Sequence, residues 1–285
     1  MTIRSIAVLG GGIMGRGIAY VSVLAGYDTY LQDVNRAALD QARAEISGLL
    51  DKGVAAAKVD AAKAADAKTR LKTVATLDEA VTQADLVIEA VPEDMRLKLE
   101  LFGKLDRLTP AGALLASNTS SLSVTEMAGA TGRPSQVVGM HFFNPVHRMK
   151  LLEVVRGLET SEATIAAAIE VGERMGKECV VVRESPGFVT SRINAMIGNE
   201  AFYMLQEGVA SARDIDKALK LGLNHPMGPF ELVDLVGLDT RLSILQHLHK
   251  TLGDKFRPCP LLEEYVKAGR LGKKVGRGVY DYAGP

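Results

Sequence analysis

The sequence predicts an α/β domain with a mainly parallel sheet, followed by an all-helical domain. Two observations support this fold class. Up to residue 184, short apolar runs alternate with helical patterns, which is typical of parallel strands joined by covering helices. At Ser185-Pro186-Gly187 a proline and a glycine interrupt that alternation, and the rest of the chain is mostly helical in pattern. We therefore expect one domain over residues 1–184 and a second over 185–285.

Each predicted element rests on hydrophobic periodicity and on the residues that end it. The apolar run 6–9 predicts a buried first strand, and the helix predicted over 15–25 ends at Gly26. The other predicted strands are 27–32, 72–75, 86–90, 114–117, 137–140, 151–155 and 179–182. The other predicted helices are 95–108, 161–175, 188–207, 212–221 and 240–252. The Ala- and Lys-rich stretch 35–68 predicts one or two further helices, because both residues favour helix.

Composition excludes several classes of protein. The chain has 285 residues, 47% of them hydrophobic, which is enough for a sizeable core. It carries 34 Lys plus Arg and 34 Asp plus Glu, so a formal net charge of +0 gives no electrostatic reason to expect a nucleic-acid or membrane partner. Cys179 and Cys259 are too few for a disulfide framework, which fits a cytoplasmic protein. No apolar stretch has the length of a secretory signal or a membrane span.

A glycine-rich turn after the first predicted strand indicates a cofactor site. The run Gly10-Gly11-Gly12-Ile13-Met14-Gly15 follows the G-x-G-x-x-G pattern between a strand and a helix. In this pattern Gly10 permits the tight turn, Gly12 admits a pyrophosphate close to the backbone, and Gly15 lets the helix approach the strand. The free N–H groups at the helix start then face the anion. We therefore predict a Rossmann-type domain that binds a dinucleotide through Gly10, Gly12, Ile13, Met14 and Gly15.

Asp33, at the end of the second predicted strand, indicates which dinucleotide is bound. It lies 23 residues after Gly10, where this fold places an acidic residue on the adenosine ribose. A carboxylate there repels a 2′-phosphate, so NAD is expected rather than NADP. Arg36, three residues further on, is expected to soften that preference.

Two polar residues beside apolar strands form a candidate catalytic pair. His141 follows the apolar run 137–140, at the carboxyl end of a predicted strand, where ligands bind in open parallel sheets. Glu153 is the single carboxylate of the aliphatic run 151–155, and a carboxylate buried there needs a partner. If the two strands are neighbours, the pair is a general base with its orienting anion; otherwise both residues are structural. None of the five histidines is arranged for metal binding, so no metal is expected.

The run His141-Phe142-Phe143-Asn144-Pro145-Val146 resembles the signature of the L-3-hydroxyacyl-CoA dehydrogenase family. Further resemblances follow in order along nearly the whole chain, at residues 87–93, 116–121, 185–189, 228–232 and 276–280. The length is similar to that of the compact bacterial 3-hydroxybutyryl-CoA dehydrogenases. The resemblance implies reversible oxidation of an L-3-hydroxyacyl-CoA with NAD as the cofactor. The similarity to the 3-hydroxybutyryl-CoA dehydrogenases implies that the acyl chain is short. It also implies an acyl-CoA substrate and a homodimer.

The same resemblance implies roles for individual residues. His141 matches the catalytic base, Glu153 its orienting partner, and Ser120 the serine that bonds the reacting oxygen. Asn144 matches the asparagine beside the histidine, and is included among the catalytic residues. Positions lining the cofactor are matched by Glu93, Lys98 and Asn118. The helical stretch 35–68 resembles the element that meets the CoA tail, where Lys52 or Lys58 is a candidate partner of the phosphates.

One position departs from the family pattern. The family often has an asparagine three residues after the phenylalanine of Pro-Gly-Phe, near the substrate carbonyl, and this chain has Ser191 there. A serine hydroxyl can still donate a hydrogen bond, but it reaches less far. Asn194 lies three residues later on the same helical face. We expect Ser191, helped by Asn194 or a water molecule, to keep the polar contact with the substrate.

Two alternative functions remain open on the sequence. One is a dehydrogenase of a free hydroxy acid or sugar acid, similar to gulonate dehydrogenase and lambda-crystallin, which would use the same histidine and glutamate. The other is a non-catalytic, NAD-binding structural protein on the same scaffold. The presence of His141, Glu153 and Ser120 disfavours the second alternative.

Overall fold

The computed structural model describes residues 2–282, which form two compact units that meet between Glu184 and Ser185. Unit 1 holds an eight-stranded sheet covered by helices, and unit 2 is helical. The predicted fold class is therefore confirmed. No helix within the described residues is both long enough and apolar enough to cross a bilayer.

The sheet of unit 1 positions the residues of interest at the ends of its central strands. Its strands lie in the order β3-β2-β1-β4-β5-β6-β7-β8, and every neighbouring pair is parallel except β6 and β7. The strands are β1 Ser5–Leu9, β2 Asp28–Gln32, β3 Leu71–Val74, β4 Leu86–Glu89, β5 Leu114–Ser117, β6 Val137–Phe142, β7 Leu151–Arg156 and β8 Glu178–Arg183. The chain reverses its strand order between β1 and β4, where open α/β sheets form a ligand crevice.

Seven α-helices belong to the described part of unit 1. They are α1 Ile13–Leu24, α2 Arg36–Ala55, α3 Ala61–Arg70, α4 Leu77–Val81, α5 Met95–Leu108, α6 Val124–Gly129 and α7 Glu162–Arg174. Most begin at a side-chain cap: Asn35, for example, accepts from two N–H groups of α2, and Asp94 accepts from one of α5. The stretch 35–68 thus folds into two helices, each with its own cap, because Asp60 starts α3.

The strand β6 differs from its prediction in a way that matters for the site. It continues through His141 to Phe142, so His141 lies within the strand and not after it. The segment 143–150 then connects β6 to β7, which runs antiparallel to it. Such a short connection suits antiparallel neighbours, whereas a parallel pair needs a crossover of about a dozen residues or more. His141 therefore becomes available to a direct partner on β7.

Unit 2 contains five α-helices among the described residues: α8 Thr190–Gln206, α9 Ala212–Gly222, α10 Pro229–Val236, α11 Leu238–Leu252 and α12 Pro260–Lys267. Its core is aromatic and aliphatic, with Phe202 set edge-on against Phe230 at 5.2 Å between ring centroids. Helix α8 begins two residues later than the pattern predicts. Phe188 has a φ of 48°, outside the helical region, so the backbone turns before the helix starts.

Candidate active site

The glycine turn after β1 has the form of a phosphate cradle. Gly10 has a φ of 104°, and a Cβ there would lie 2.6 Å from the Ala90 carbonyl oxygen at the end of β4. A Cβ on Gly15 would lie 1.7 Å from the Gly10 carbonyl oxygen, so only glycine lets α1 start this close to the strand. A Cβ placed on Gly12 would have no other atom within 4 Å, so the space beside this residue is open. Helix α1 begins there without a side-chain cap, so its first N–H groups are left for a ligand.

A cavity of about 810 Å³ opens beside this turn and fits a dinucleotide. Four glycine-turn residues predicted to bind the cofactor line it, namely Gly10, Gly12, Ile13 and Met14, whereas Gly15 lies behind them. The rest of its lining includes the aliphatic side chains of Val34, Leu77, Leu97 and Leu101. Val34 is 90% exposed and Ile13 is 59% exposed, so both present aliphatic surface at this cavity.

Asp33 lies at the edge of this cavity with its carboxylate already fixed. Its Oδ2 accepts the Gly11 N–H at 2.7 Å, and its Oδ1 accepts the Asn35 N–H at 2.8 Å. The carboxylate is therefore held between the glycine turn and the start of α2. This placement suits the predicted contact with a ribose diol, because each carboxylate oxygen has a further lone pair.

His141 and Glu153 form a buried pair. They are directly opposed residues of the antiparallel β6–β7 ladder, and His141 Nδ1 lies 2.7 Å from Glu153 Oε2. The His141 side chain is 8% exposed and that of Glu153 is 1% exposed. The imidazole also packs on the Phe143 ring, with 4.4 Å between the ring centroids. A carboxylate at Nδ1 favours the tautomer with the proton on Nδ1, in which Nε2 is the basic nitrogen of the ring.

The loop after β5 carries Ser120 and is tied to both flanking strands. Asn118 donates its N–H to the Glu89 carbonyl at 2.8 Å, and its side-chain oxygen accepts the Phe142 N–H at 2.9 Å. The loop therefore meets β6 one residue beyond His141. Ser120 donates its N–H to Glu93 Oε1 at 3.1 Å, and Thr119 donates its hydroxyl to the same oxygen. Asn118 and Glu93 thus hold the serine loop, and their predicted contact with the cofactor stays a prediction.

A buried ion pair lies beneath that loop, and the sequence reasoning missed half of it. Lys98, predicted to line the cofactor, is 1% exposed, and its ammonium lies 2.7 and 2.8 Å from the two oxygens of Glu89 and 3.0 Å from Glu93. Ser117 donates its hydroxyl to Glu89 at 2.6 Å. Glu89 ends an aliphatic strand, just as Glu153 interrupts one, so the same signal would have found it. The ammonium of Lys98 therefore contacts the Glu93 carboxylate, which holds the serine loop, and the Glu89 carboxylate, which holds the last residue of β5.

A second cavity of about 600 Å³ in unit 1 lies between α1, α2 and the β6–β7 connection, and we call it the carrier cavity. Asn144 lines it, and so do Arg16, Lys52 and His147. Arg16 pairs with Glu45 at 3.0 Å across α1 and α2. Burial, and then the nearby cations Arg148 and Lys177, lower the pKa of His147 below its usual value. Of the two candidate lysines, Lys52 therefore faces a cavity, whereas Lys58 lies exposed after α2.

Ser191 and Asn194 lie in unit 2, half-buried on the first turns of α8. Their predicted contact with the substrate stays a prediction. Within residues 2–282, no cluster of three or more His, Cys, Asp or Glu side chains is arranged to hold a metal ion.

Comparison with known proteins identifies the family. Residues 5–185 match the model of the 3-hydroxyacyl-CoA dehydrogenase NAD binding domain, and residues 187–282 match that of the C-terminal domain of the same family. A probable 3-hydroxybutyryl-CoA dehydrogenase of Bacillus subtilis is 49% identical, over 99% of this chain and 98% of its own. A 3-hydroxybutyryl-CoA dehydrogenase of Bradyrhizobium diazoefficiens is 45% identical over 99% and 96%.

The fold has close counterparts among solved structures. The crystal structure of (S)-3-hydroxybutyryl-CoA dehydrogenase from Ralstonia eutropha superposes with a TM-score of 0.96 at 41% identity, covering 99% of this chain and 100% of that one. Both units are thus matched, in sequence by the two family models and in fold by this structure. The glycine turn and its cavity belong to the family's NAD-binding domain, so the cofactor is NAD. The chain is a member of the 3-hydroxyacyl-CoA dehydrogenase family, a family of NAD-dependent oxidoreductases.

Proposed function

We propose that this protein interconverts a short-chain L-3-hydroxyacyl-CoA, such as 3-hydroxybutyryl-CoA, and the corresponding 3-ketoacyl-CoA, with NAD as the cofactor. The observation that carries the catalytic part is the buried contact of 2.7 Å between His141 Nδ1 and Glu153 Oε2. The names of the Bacillus, Bradyrhizobium and Ralstonia relatives support the choice of substrate.

His141 acts as the general base in the oxidation. Its Nε2 takes the proton of the substrate hydroxyl, which converts the alcohol at C3 to a ketone as the hydride leaves C3. NAD, when bound, supplies the acceptor for that hydride. Glu153 accepts a hydrogen bond from the Nδ1–H group, orients the ring, and stabilises the imidazolium that forms. In the reverse direction the same imidazolium returns the proton to the oxygen.

The remaining predicted residues position the substrate. Ser120 donates a hydrogen bond to the reacting oxygen. It lies on the loop that Asn118 connects to β6, the strand of His141, through the hydrogen bond from the Phe142 N–H. Asn144 lies in the wall of the carrier cavity, where Lys52 supplies positive charge for the CoA phosphates and Arg16 is paired with Glu45. Guanidinium and ammonium groups are the usual partners of phosphate in proteins. We propose that Ser191 and Asn194 contribute a polar contact to the acyl carbonyl.

A substrate panel tests this function. The purified protein should oxidise NADH with acetoacetyl-CoA and should show less than about a hundredth of that kcat/KM with free acetoacetate, because the carrier contacts are then lost. A free hydroxy acid or sugar acid preferred over the CoA thioester would replace this function with the first alternative. No turnover on any member of the panel, despite NADH binding, would favour the structural alternative.

We further propose that the protein is a homodimer. Unit 2 exposes several aliphatic side chains in the single chain, among them Leu221 at 76% and Leu223 at 66%. Apolar surface of this kind is typical of protein interfaces. Light scattering coupled to size exclusion, with Leu221→Lys as the disruptive variant, would show the mass of two chains or of one. The cytoplasmic location stays a prediction.

A further inference from the structure

A buried lysine outside the catalytic pair contacts the connection that follows the histidine strand. Lys177 lies between α7 and β8, is 7% exposed, and donates from Nζ to the carbonyl oxygens of Val146 and, at 2.8 Å, Met149. None of the ion pairs within residues 2–282 includes Lys177. Burial lowers its pKa. Such a group is costly to bury, so its two carbonyl contacts need an explanation.

The two carbonyls belong to the β6–β7 connection, which lies wholly within the described residues, and no backbone N–H group of that connection donates to either of them. Within the β6–β7 connection, the Pro145 carbonyl accepts the N–H groups of Arg148 and Met149. The carbonyls of Val146 and Met149 instead accept hydrogen bonds from Lys177 Nζ. A compact ammonium with three donors can serve two carbonyls at once. Lys177 therefore fixes this turn from the β8 side.

The turn is also packed by α1. Val146 is 2% exposed, and a Cβ placed on Gly17 would lie 2.8 Å from its Cγ2 atom. The absence of a side chain at Gly17 thus allows α1 to approach the turn. Between these two supports, Asn144, Pro145, Val146 and His147 form one wall of the carrier cavity.

The catalytic pair does not depend on this wall in the same way. His141 and Glu153 are aligned by the β6–β7 ladder itself, in which they are paired residues. A shift of the turn would therefore alter the carrier cavity more than the geometry of the histidine. Loss of carrier contacts weakens binding, whereas loss of the base slows the chemical step.

We propose that Lys177 is a positioning residue for substrate affinity, which holds the cavity wall against the CoA part of the substrate and so favours CoA thioesters over thioesters that lack the nucleotide. The inference rests on the proposed function. It assigns to Lys177 no contact with substrate, cofactor or reacting atoms.

The test compares two substrates in one variant. With Lys177→Met, the KM for acetoacetyl-CoA should rise about tenfold while kcat changes less than about twofold. The kcat/KM for acetoacetyl-N-acetylcysteamine, which has the same reacting group and no nucleotide, should change less than about twofold. The matched control is Lys150→Met: Lys150 lies at the end of the same connection with its side chain 79% exposed, and its removal should leave both substrates unchanged.

A second variant moves the same turn without touching the lysine. Gly17→Ala pushes on Val146, and it should produce the same split between the two substrates while NADH affinity is retained. Because Gly17 itself lines the carrier cavity, Lys177→Gln decides the question if Lys177→Met does not fold: it removes the ammonium, stays polar, and should raise the KM for acetoacetyl-CoA without changing kcat. In folded Lys177→Met, the pKa of His147 followed by NMR should rise toward its usual value, because one of the cations that lowers it has been removed.

The outcomes separate this inference from the function on which it rests. If the wild-type protein does not reduce acetoacetyl-CoA, the proposed function fails. If the wild type is active but Lys177→Met or Gly17→Ala reduces kcat/KM equally for both substrates, the role of the turn is general and the inference is overturned. Unchanged kinetics in both variants would overturn it as well.

Discussion

Buried carboxylates occur in both units, but their partners differ. In unit 1, Glu153 holds the imidazole of His141 and Glu89 holds the ammonium of Lys98. In unit 2, Asp234 is 0% exposed and accepts two backbone N–H groups and the hydroxyl of Tyr282. Imidazole can gain and lose a proton near neutral pH, whereas an amide cannot. Burial of a carboxylate is therefore no sign of chemistry until its partner is known.

The tyrosines of unit 2 strengthen that contrast. Asp216 accepts the hydroxyl of Tyr280 at 2.7 Å, in addition to the N–H groups of Phe230 and Glu231. Burial, and then the neighbouring aspartate, raise the pKa of Tyr280, and the same causes raise that of Tyr282. Both phenols consequently stay protonated and act as permanent donors. These aspartates cross-link the C-terminal segment to α9 and α10, which is a structural role.

The largest expected effect concerns the buried carboxylate pair of unit 1, which we propose to be catalytic. His141→Gln should lower kcat about a thousandfold, because glutamine cannot take the substrate proton. NADH affinity should change less than about twofold, since His141 is not part of the cofactor cavity wall. Stopped-flow turnover with acetoacetyl-CoA and NADH fluorescence titration measure the two quantities. Turnover close to that of the wild type would contradict the assignment of the base.

A smaller effect should appear on the structural side, in stability rather than rate. Asp234→Asn replaces one acceptor oxygen by an NH2 group that cannot accept, so we expect the free energy of unfolding to fall by about 1–3 kcal/mol. Urea denaturation measures this. The control is Asp281→Asn, whose side chain is 70% exposed and which should change stability little. A large loss of kcat at full stability would show that Asp234 belongs to the active site after all.

The smallest expected effect concerns the one polar contact that unit 2 is predicted to give to the substrate. Ser191→Ala should lower kcat/KM for acetoacetyl-CoA about three- to tenfold, the usual worth of one hydrogen bond. Ser243→Ala, at an exposed position of α11, serves as the matched control. Equal kcat/KM for Ser191→Ala and wild type would remove Ser191 from the site and leave Asn194 as the candidate.

The sequence predicts the fold class and several elements closely, because hydrophobic periodicity and caps are local signals. The strand Leu114–Ser117 and the helix Met95–Leu108 have the predicted bounds. The extension of β6 through His141 was missed, since a histidine followed by two phenylalanines has no clear strand end. The short connection 143–150 did carry the information that β7 returns antiparallel, and it would have predicted the pairing of His141 with Glu153.

Contacts between distant elements lie beyond such local signals. Lys177 contacts the backbone carbonyls of two residues that lie 28 and 31 positions away in the sequence. Because any residue type has a backbone carbonyl, the sequence of the connection does not predict these contacts. The hydrogen bonds of Lys98 to Glu89 and of Asn118 to β6 were likewise not predicted, and the predicted position of both residues beside the cofactor stays a prediction. The partners of a lysine side chain depend on which distant residues the fold packs against it, and local sequence does not show them.

The two backbone bonds of Asp33 bear on any attempt to redesign cofactor preference. Exchanging this carboxylate for a neutral residue, to admit a phosphorylated ribose, would also release the N–H groups of Gly11 and Asn35. One of these groups belongs to the glycine turn and the other to the cap of α2. Selectivity and loop architecture are thus coupled in a single side chain. An engineered NADP enzyme on this scaffold would need a compensating acceptor at that position before any new cation could be useful.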